Sequence, residues 1–202
     1  MLDGFTWAVQ NATDEGRVGQ SLVSMSLGWP TSQIINDAVE AAYQQGFLTV
    51  VSAGNDDSDA STKSPASAPN ALTVGATDFA RKRAWYSNTG KVVDIWGPGS
   101  DVLSLAPRQG QTATKSGTSM STPAVAGLIA YLRSLAEQAG EPLDDADKAI
   151  ARVKELAHKD VVEDVRGSPN LFAYNGLGAG NSTSNSTYFT KRLAAARLHA
   201  NL

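Results

Sequence analysis

The sequence predicts an α/β domain built around a mainly parallel sheet. Two apolar, strand-like runs at residues 22–27 and 47–52 flank a helical pattern at residues 34–43, where apolar residues recur at helical spacing. A strand, a helix and a second strand within about 30 residues form a βαβ unit, whose two strands are parallel. The chain has 202 residues, of which 42% are hydrophobic, so it can bury one sizeable core.

The elements of the first half follow in order along the chain. Residues 5–11 have the pattern of a helix end, and residues 14–17 have that of a turn. Residues 28–30 contain Gly and Pro and would end the first strand. Ser32 is a suitable N-cap for the helix that follows, and Gly46 is a suitable residue to end it.

The second half adds short strands and two helices. Strands are predicted at residues 72–76, 92–96 and 101–105. A Ser- and Pro-rich loop at residues 56–69 precedes them. A long helix is predicted at residues 118–138, where apolar residues form one face, and a surface helix at residues 144–158.

The composition changes near the C-terminus. From residue 176 the chain is rich in Gly, Ser, Thr and Asn, so residues 176–187 are predicted to be a flexible linker. Residues 191–202 are basic and helix-prone. We therefore divide the chain into one domain at residues 1–175 and a linker with a tail at residues 176–202.

Charge and composition exclude several classes of partner and site. A net charge of −3 argues against nucleic acid and anionic membranes, and the basic triplet at residues 81–83 is interpreted as a solvated turn. No apolar run approaches the ~20 residues of a membrane span. The chain has no cysteine, which excludes a thiolate metal site and a cysteine nucleophile.

The most informative segment is the heptapeptide GTSMSTP at residues 117–123. It places Ser119 between small residues, immediately before the predicted long helix. Gly117 permits a tight turn, and the helix N-terminus offers unpaired N–H groups that suit a developing oxyanion. Pro123 is expected in the first turn of the helix, where its missing N–H costs nothing. Ser119 is thus a candidate nucleophile, although a serine there could also be a simple helix N-cap.

The heptapeptide resembles the nucleophile motif of the subtilisin-like serine proteases, the subtilases, and the chain is most similar to their proteinase K branch. Further blocks occur in the family's order: SMSLG at residues 24–28, VSAGN at 51–55, SPAS at 64–67 and TVGA at 73–76. The resemblance extends to residue 175 and implies a three-layer subtilisin-like fold. Residues 1–175 would be the C-terminal portion of the catalytic domain, with the family's N-terminal strands missing.

The resemblance implies a serine endopeptidase acting on polypeptides. Ser119 would attack the peptide carbonyl, and Asn55 would donate its side-chain N–H to the oxyanion together with the Ser119 backbone N–H. The walls of the substrate pocket would be Ser26, Leu27, Gly28, Ser52, Ala53 and Gly54. The edge at residues 26–28 could take the substrate as an added strand.

Two residues of the catalytic triad are expected to be absent. In the family the order is Asp, His, Ser, and the Asp and His segments lie upstream of the region represented here. His158 and His199, the two histidines of the chain, match neither position. In subtilisin, a member of this family, loss of the Ser or the His lowers the rate by about 10⁶. We therefore expect these 202 residues alone to be inactive.

Two alternatives to a working subtilase remain open. The chain could be a non-catalytic remnant or binding protein that keeps the cleft. An α/β-hydrolase is disfavoured because its G-x-S-x-G motif needs a glycine where this chain has Ser121.

The resemblance also bears on cofactors, location and partners. Hydrolysis should require no cofactor, but the proteinase K branch has a structural calcium site that would fall on the Asp94 carboxylate and the carbonyls of Pro69 and Ala71, since oxygen ligands suit calcium. Asp94 could instead simply cap a turn. Secretion and a propeptide or inhibitor are expected for the full-length protein, although residues 1–4 do not begin a signal peptide.

Overall fold

The computed structural model describes residues 1–177. The linker and tail predicted beyond residue 177 lie outside the described residues. The strands in this part are β1 (Leu22–Met25), β2 (Trp29–Pro30), β3 (Leu48–Ser52), β4 (Lys63–Ser64), β5 (Leu72–Thr77), β6 (Ile95–Pro98), β7 (Val102–Leu105), β8 (Thr112–Lys115), β9 (His158–Lys159) and β10 (Leu171–Phe172). The helices are α1 (Leu2–Asp14), α2 (Gln33–Tyr43), α3 (Thr118–Gln138) and α4 (Ala146–Leu156).

A six-stranded sheet with the order β1-β3-β5-β6-β10-β9 organises the fold. Every pairing in it is parallel except the last, in which β10 runs antiparallel to β9. The helix α2 connects the parallel neighbours β1 and β3, which confirms the predicted βαβ unit. In the described part of the chain, β1 is paired on one side only.

Helices cover both faces of the sheet. Alternate residues of β3 point to opposite sides: Val50 packs in the cluster with α3 and α4, whereas Val51 packs in the cluster with α1 and α2. β3 is buried along its whole length, as its continuous apolar run predicts. The three-layer α/β fold with a mainly parallel sheet is thus confirmed.

Two small two-stranded sheets lie apart from this sheet, and their pairings were not anticipated. Residues 28–30, interpreted as a strand break, contain β2, which pairs with β4 inside the predicted loop. The predicted strand at residues 101–105 forms as β7, but it pairs with β8 in a separate two-stranded sheet. All four strands are short, and β2, β7 and β8 are largely exposed, so they lack the apolar run by which buried strands are found in a sequence.

One basic residue of the triplet at 81–83 is not solvated. Arg83 is 4% exposed, and its guanidinium donates to Asp57 at 2.8 Å and to Asp164 at 3.0 Å. It also donates to three backbone carbonyls, those of Ala84, Trp85 and Ser87. The interpretation as a solvated turn is therefore wrong for Arg83, because two carboxylates and these carbonyls compensate its burial.

No helix among residues 1–177 combines the length and the apolar character needed to cross a bilayer.

Candidate active site

The predicted site residues come together where the parallel strands end. Residues 26–28 directly follow β1, and Asn55 follows β3 at a short distance along the chain. Because β1 and β3 are parallel neighbours, these two segments lie at the same edge of the sheet. Ser119 reaches that edge from the first turn of α3. Crevices at the carboxyl ends of parallel strands are the usual location of sites in such sheets.

The turn that presents Ser119 depends on two glycines. Gly117 caps α3 with a φ of +153°, which favours glycine. Its N–H donates to the carbonyl of Gly99 at 2.8 Å. A Cβ on Gly99 would lie 2.5 Å from the Cβ of Ala76 and 2.9 Å from the carbonyl oxygen of Gly117, so a side chain there would push the turn away.

Asn55 is fixed in one orientation by Thr118, a contact that spans 63 positions of sequence. Its Oδ1 accepts from the Thr118 N–H at 2.8 Å and from the Thr118 hydroxyl at 2.9 Å. A backbone N–H can only donate, so the atom it meets must be the amide oxygen. The Asn55 Nδ2 group therefore points elsewhere, and it has no acceptor within the described residues.

Two unpaired donors converge beside Gly117. A Cβ built on this glycine would lie 3.6 Å from Asn55 Nδ2 and 3.7 Å from the backbone nitrogen of Ser119. The Ser119 N–H belongs to the first turn of α3 and has no acceptor among the described residues. The absence of a side chain at Gly117 thus leaves a space that both donor nitrogens border.

The backbone of Ser119 is tied to Ser26. Pro123 is the sixth residue of α3, not in its first turn as expected, so its missing N–H leaves the Ser119 carbonyl without its helical partner. The Ser26 hydroxyl donates to that carbonyl at 3.1 Å. In return, the Ser119 Oγ donates to the carbonyl of Ser26 at 3.4 Å.

A cavity of about 290 Å³ opens next to Ser119. All six residues predicted as pocket walls line it: Ser26, Leu27, Gly28, Ser52, Ala53 and Gly54. Asn55 and Ser119 line it as well, so the structure brings the predicted catalytic and binding residues together.

A charged pair at this cavity was not foreseen. Asp56 and Lys63 both line it, and their side chains form an ion pair at 2.9 Å. The hydrogen bond from the Lys63 ammonium holds the pKa of the Asp56 carboxyl below its usual value. The sequence analysis placed Asp56 only in the polar loop, and no local pattern links it to Lys63.

Asn88 is a further residue that the sequence analysis missed. It is fully buried, donates to the carbonyl of Ala53 at 2.9 Å, and accepts from the N–H groups of Asp56 and Ser58. A Cβ on Gly54 would lie 2.4 Å from the Asn88 amide nitrogen, which is why glycine occupies that position at φ +102°. Asn88 thereby fixes the loop that carries Asn55.

The histidine of the described residues lies far from Ser119 in the fold. His158 is in β9, at the edge of the sheet opposite β1, where its ring stacks on Tyr174 with centroids 4.1 Å apart. It therefore cannot accept a proton from Ser119. His199 is outside the described residues.

Asp94 has partners that do not suit a calcium ion. One carboxylate oxygen accepts the Thr73 N–H at 2.8 Å, and the other accepts from the Lys154 ammonium at 2.7 Å. Calcium needs six to eight oxygen ligands, and an ammonium group supplies none and repels the ion. Among residues 1–177 there is also no cluster of three His, Cys, Asp or Glu side chains that could bind a metal.

Two fungal proteases are similar to this chain in sequence. Alkaline protease 1 of Aspergillus oryzae is 51% identical over 177 residues, which cover 87% of this chain and 43% of that protein. Subtilisin-like proteinase Mp1 of Magnaporthiopsis poae is 49% identical over 183 residues, covering 89% of this chain and 44% of that protein. The chain therefore spans less than half the length of these relatives.

Solved structures share the fold. A cold adapted subtilisin-like serine proteinase superposes with a TM-score of 0.78 and 35% identity, covering 88% of this chain and 61% of that one. The prenylagaramide maturation protease PagA superposes with a TM-score of 0.69 and 28% identity, covering 84% and 65%. The sequence profile of the subtilase family matches residues 3–168. With this match over most of its length, the chain belongs to the subtilase family of serine proteases.

Proposed function

We propose that this chain provides the nucleophile, the oxyanion hole and the main substrate pocket of a serine endopeptidase. The observation that carries the proposal is that Asn55 Nδ2 and the backbone nitrogen of Ser119 both border the space beside Gly117. Both donors lack an acceptor in the described residues, and Asn55 lines the same cavity as Ser119. Such donors stabilise the charge that develops on a carbonyl oxygen during acyl transfer.

In the proposed reaction, the Ser119 Oγ attacks the carbonyl carbon of a peptide bond. The carbonyl oxygen becomes an oxyanion that accepts from Asn55 Nδ2 and from the Ser119 N–H. The proton of Ser119 passes to a general base and then to the leaving amine, which yields an acyl-enzyme that water hydrolyses. We assign that base, and the acid that orients it, to residues outside the described part of the chain.

The substrate is proposed to be an extended polypeptide. Residues 26–28 lie exposed at the cavity, where their backbone could pair with a substrate strand. The neighbouring cavity of about 290 Å³ would take one substrate side chain. Ala53 and Gly54 leave its wall open, which favours hydrophobic or aromatic side chains.

The reaction needs no cofactor, because side chains supply the nucleophile and the charge stabilisation. The other expectations carried by the family are also part of the proposal: a propeptide or an inhibitor as partner, and secretion. Detection of the protein in the culture supernatant of its organism, and not in the cells, is the measurement that tests secretion.

Covalent labelling tests the proposed nucleophile. The protein as its organism produces it is treated with a fluorophosphonate probe and digested with trypsin. Cleavage after Lys115 and Arg133 releases residues 116–133. Fragmentation of that peptide should place the label on Ser119. Ser116→Ala, outside the site, should label like the parent, whereas Ser119→Ala should not label.

The competing function is a binding protein that keeps the cleft but performs no hydrolysis. Its supporting observation is that His158, the histidine of the described residues, lies at the far edge of the sheet. Failure to label Ser119, together with retained binding of a peptide aligned along residues 26–28, would favour this function over catalysis.

A further inference from the structure

Asp94 joins three elements of the fold through one carboxylate. It directly precedes β6, its Oδ2 accepts the N–H of Thr73 in β5, and its own N–H donates to the Thr73 carbonyl at 2.8 Å. Its Oδ1 accepts from Lys154, in the last turn of α4, at 2.7 Å. The Asp94 side chain is 25% exposed and that of Lys154 is 34% exposed, so the pair is partly sheltered from water.

The position of Lys154 is favourable for a positive charge for two reasons. The carboxylate of Asp94 carries the opposite charge at hydrogen-bonding distance. The last turn of a helix also carries partial negative charge from its unpaired carbonyls, which attracts cations. The ammonium of Lys154, which is covalently part of the chain, therefore balances the charge of Asp94.

A calcium ion and this ammonium would compete for the same oxygen. Calcium binds oxygen ligands at about 2.3–2.6 Å and would have to displace Lys154 from Asp94 Oδ1. The displaced ammonium would then remain tethered to α4 close to a dication. Because like charges repel strongly at such distances, the two cations exclude each other.

We propose that the Lys154 ammonium takes the place of a calcium ion as the resident cation of Asp94, so that the β5–β6–α4 junction is stabilised without a metal. The inference concerns stability alone and does not depend on the proposed peptidase function. Removing the ammonium should weaken the junction and at the same time give calcium access to Asp94.

Thermal unfolding with calcium and with a chelator tests this inference. The parent protein should melt at the same temperature in both conditions. Lys154→Met should melt a few degrees lower in the chelator and recover part of the loss in calcium. Lys148→Met is the matched control, because Lys148 lies in the same helix and pairs with an exposed carboxylate, Asp144, at 2.7 Å. The control should change little and should not respond to calcium.

Two results would overturn the inference. One is calorimetric binding of calcium to the parent that disappears in Asp94→Asn, because Asp94 would then bind the ion despite Lys154. The other is a Lys154→Met variant with the parent's melting temperature and no response to calcium. If Lys154→Met does not fold, Lys154→Gln replaces it. The calcium titration of the parent tests the inference independently of either variant.

Discussion

Asn88 and Asn55 both belong to the region around the loop that follows β3, but their side-chain amides are bonded differently. Asn88 is fully buried, and both ends of its amide are bonded to the loop, through the Ala53 carbonyl and the N–H groups of Asp56 and Ser58. Asn55 is exposed, and only its oxygen is bonded, by Thr118. Its nitrogen has no acceptor among the described residues and borders the space beside Gly117.

Asn88 therefore has a structural role, whereas Asn55 is positioned by the structure and keeps a free donor. Every hydrogen bond of Asn88 ends on the protein, so its loss should lower stability. The unused donor of Asn55 contributes nothing to the fold, so its loss should lower catalysis instead. The same substitution, Asn to Asp, can be made at both positions, because it preserves the shape of the side chain while it removes the N–H donors and adds a negative charge.

Asn55→Asp gives the largest expected effect. The Thr118 donors can still bond to the carboxylate, so the free energy of unfolding should stay near that of the parent. The oxyanion loses one donor and meets a negative charge, so kcat should fall by at least about 10²–10³. The turnover of a peptide substrate by the native protein measures kcat, and the rate of fluorophosphonate labelling measures the reactivity of Ser119. Labelling at the parental rate would contradict the assigned role.

Asn88→Asp should show the reverse pattern. The Ala53 carbonyl loses its donor, and a new negative charge lies near Asp56, whose Oδ2 is 3.5 Å from the Asn88 amide nitrogen. A buried group left without a partner costs about 1–3 kcal/mol. Urea unfolding should show a loss of at least this size. If stability were unchanged while labelling of Ser119 was abolished, the distinction between the two asparagines would fail.

Ser26→Ala should have a smaller and mixed effect. The Ser119 carbonyl, which Pro123 leaves without a helical partner, would lose the Ser26 hydroxyl at 3.1 Å. We expect a loss of about 1 kcal/mol in urea unfolding and a modest decrease in labelling rate. Ser24→Ala is the control, because Ser24 is exposed in β1, the strand that directly precedes Ser26. Equal effects of the two variants would argue against a role for the Ser26 hydroxyl.

Lys63→Met should give the smallest effect, visible only through its pH dependence. The folded pKa of Asp56 is lowered, chiefly by Lys63, so the pair stabilises the fold above the unfolded pKa of Asp, about 3.9. That contribution is lost as the pH falls through the folded value. The stability difference between parent and variant should therefore shrink in acid. Because the pair is partly exposed, the difference at neutral pH should be small. A difference that grew in acid would contradict this assignment.

Much of the fold could be predicted from local patterns. The continuous apolar run of β3 and the helical spacing of α2 are properties of neighbouring residues, and the long helix α3 spans the predicted residues. The pairings of β2 with β4 and of β7 with β8 could not be found in this way. Their short strands are defined by their partners and not by a run of apolar residues.

The candidate site, too, could be predicted only in part from the sequence. Motif resemblance assigned Ser119, Asn55 and the pocket walls, and the fold brings these residues to one cavity. It did not anticipate the contact of Lys154 with Asp94, which joins residues 60 positions apart. The expectation of a calcium site considered Asp94 without its ion-pair partner, Lys154. No pattern of neighbouring residues in the sequence predicts that Lys154 contacts Asp94.

The sequence by itself determined the parallel α/β architecture, the family and the identity of the candidate nucleophile, because each of these is encoded in short runs of residues. Only the tertiary structure decided which donor and acceptor atoms of the site residues have a bonding partner. Thr118 takes the oxygen of Asn55 and leaves its nitrogen, Ser26 replaces the helical partner that Pro123 removes, and Lys154 occupies Asp94. Hydrogen bonds and ion pairs act over about 3 Å, so they depend on contacts that folding alone creates.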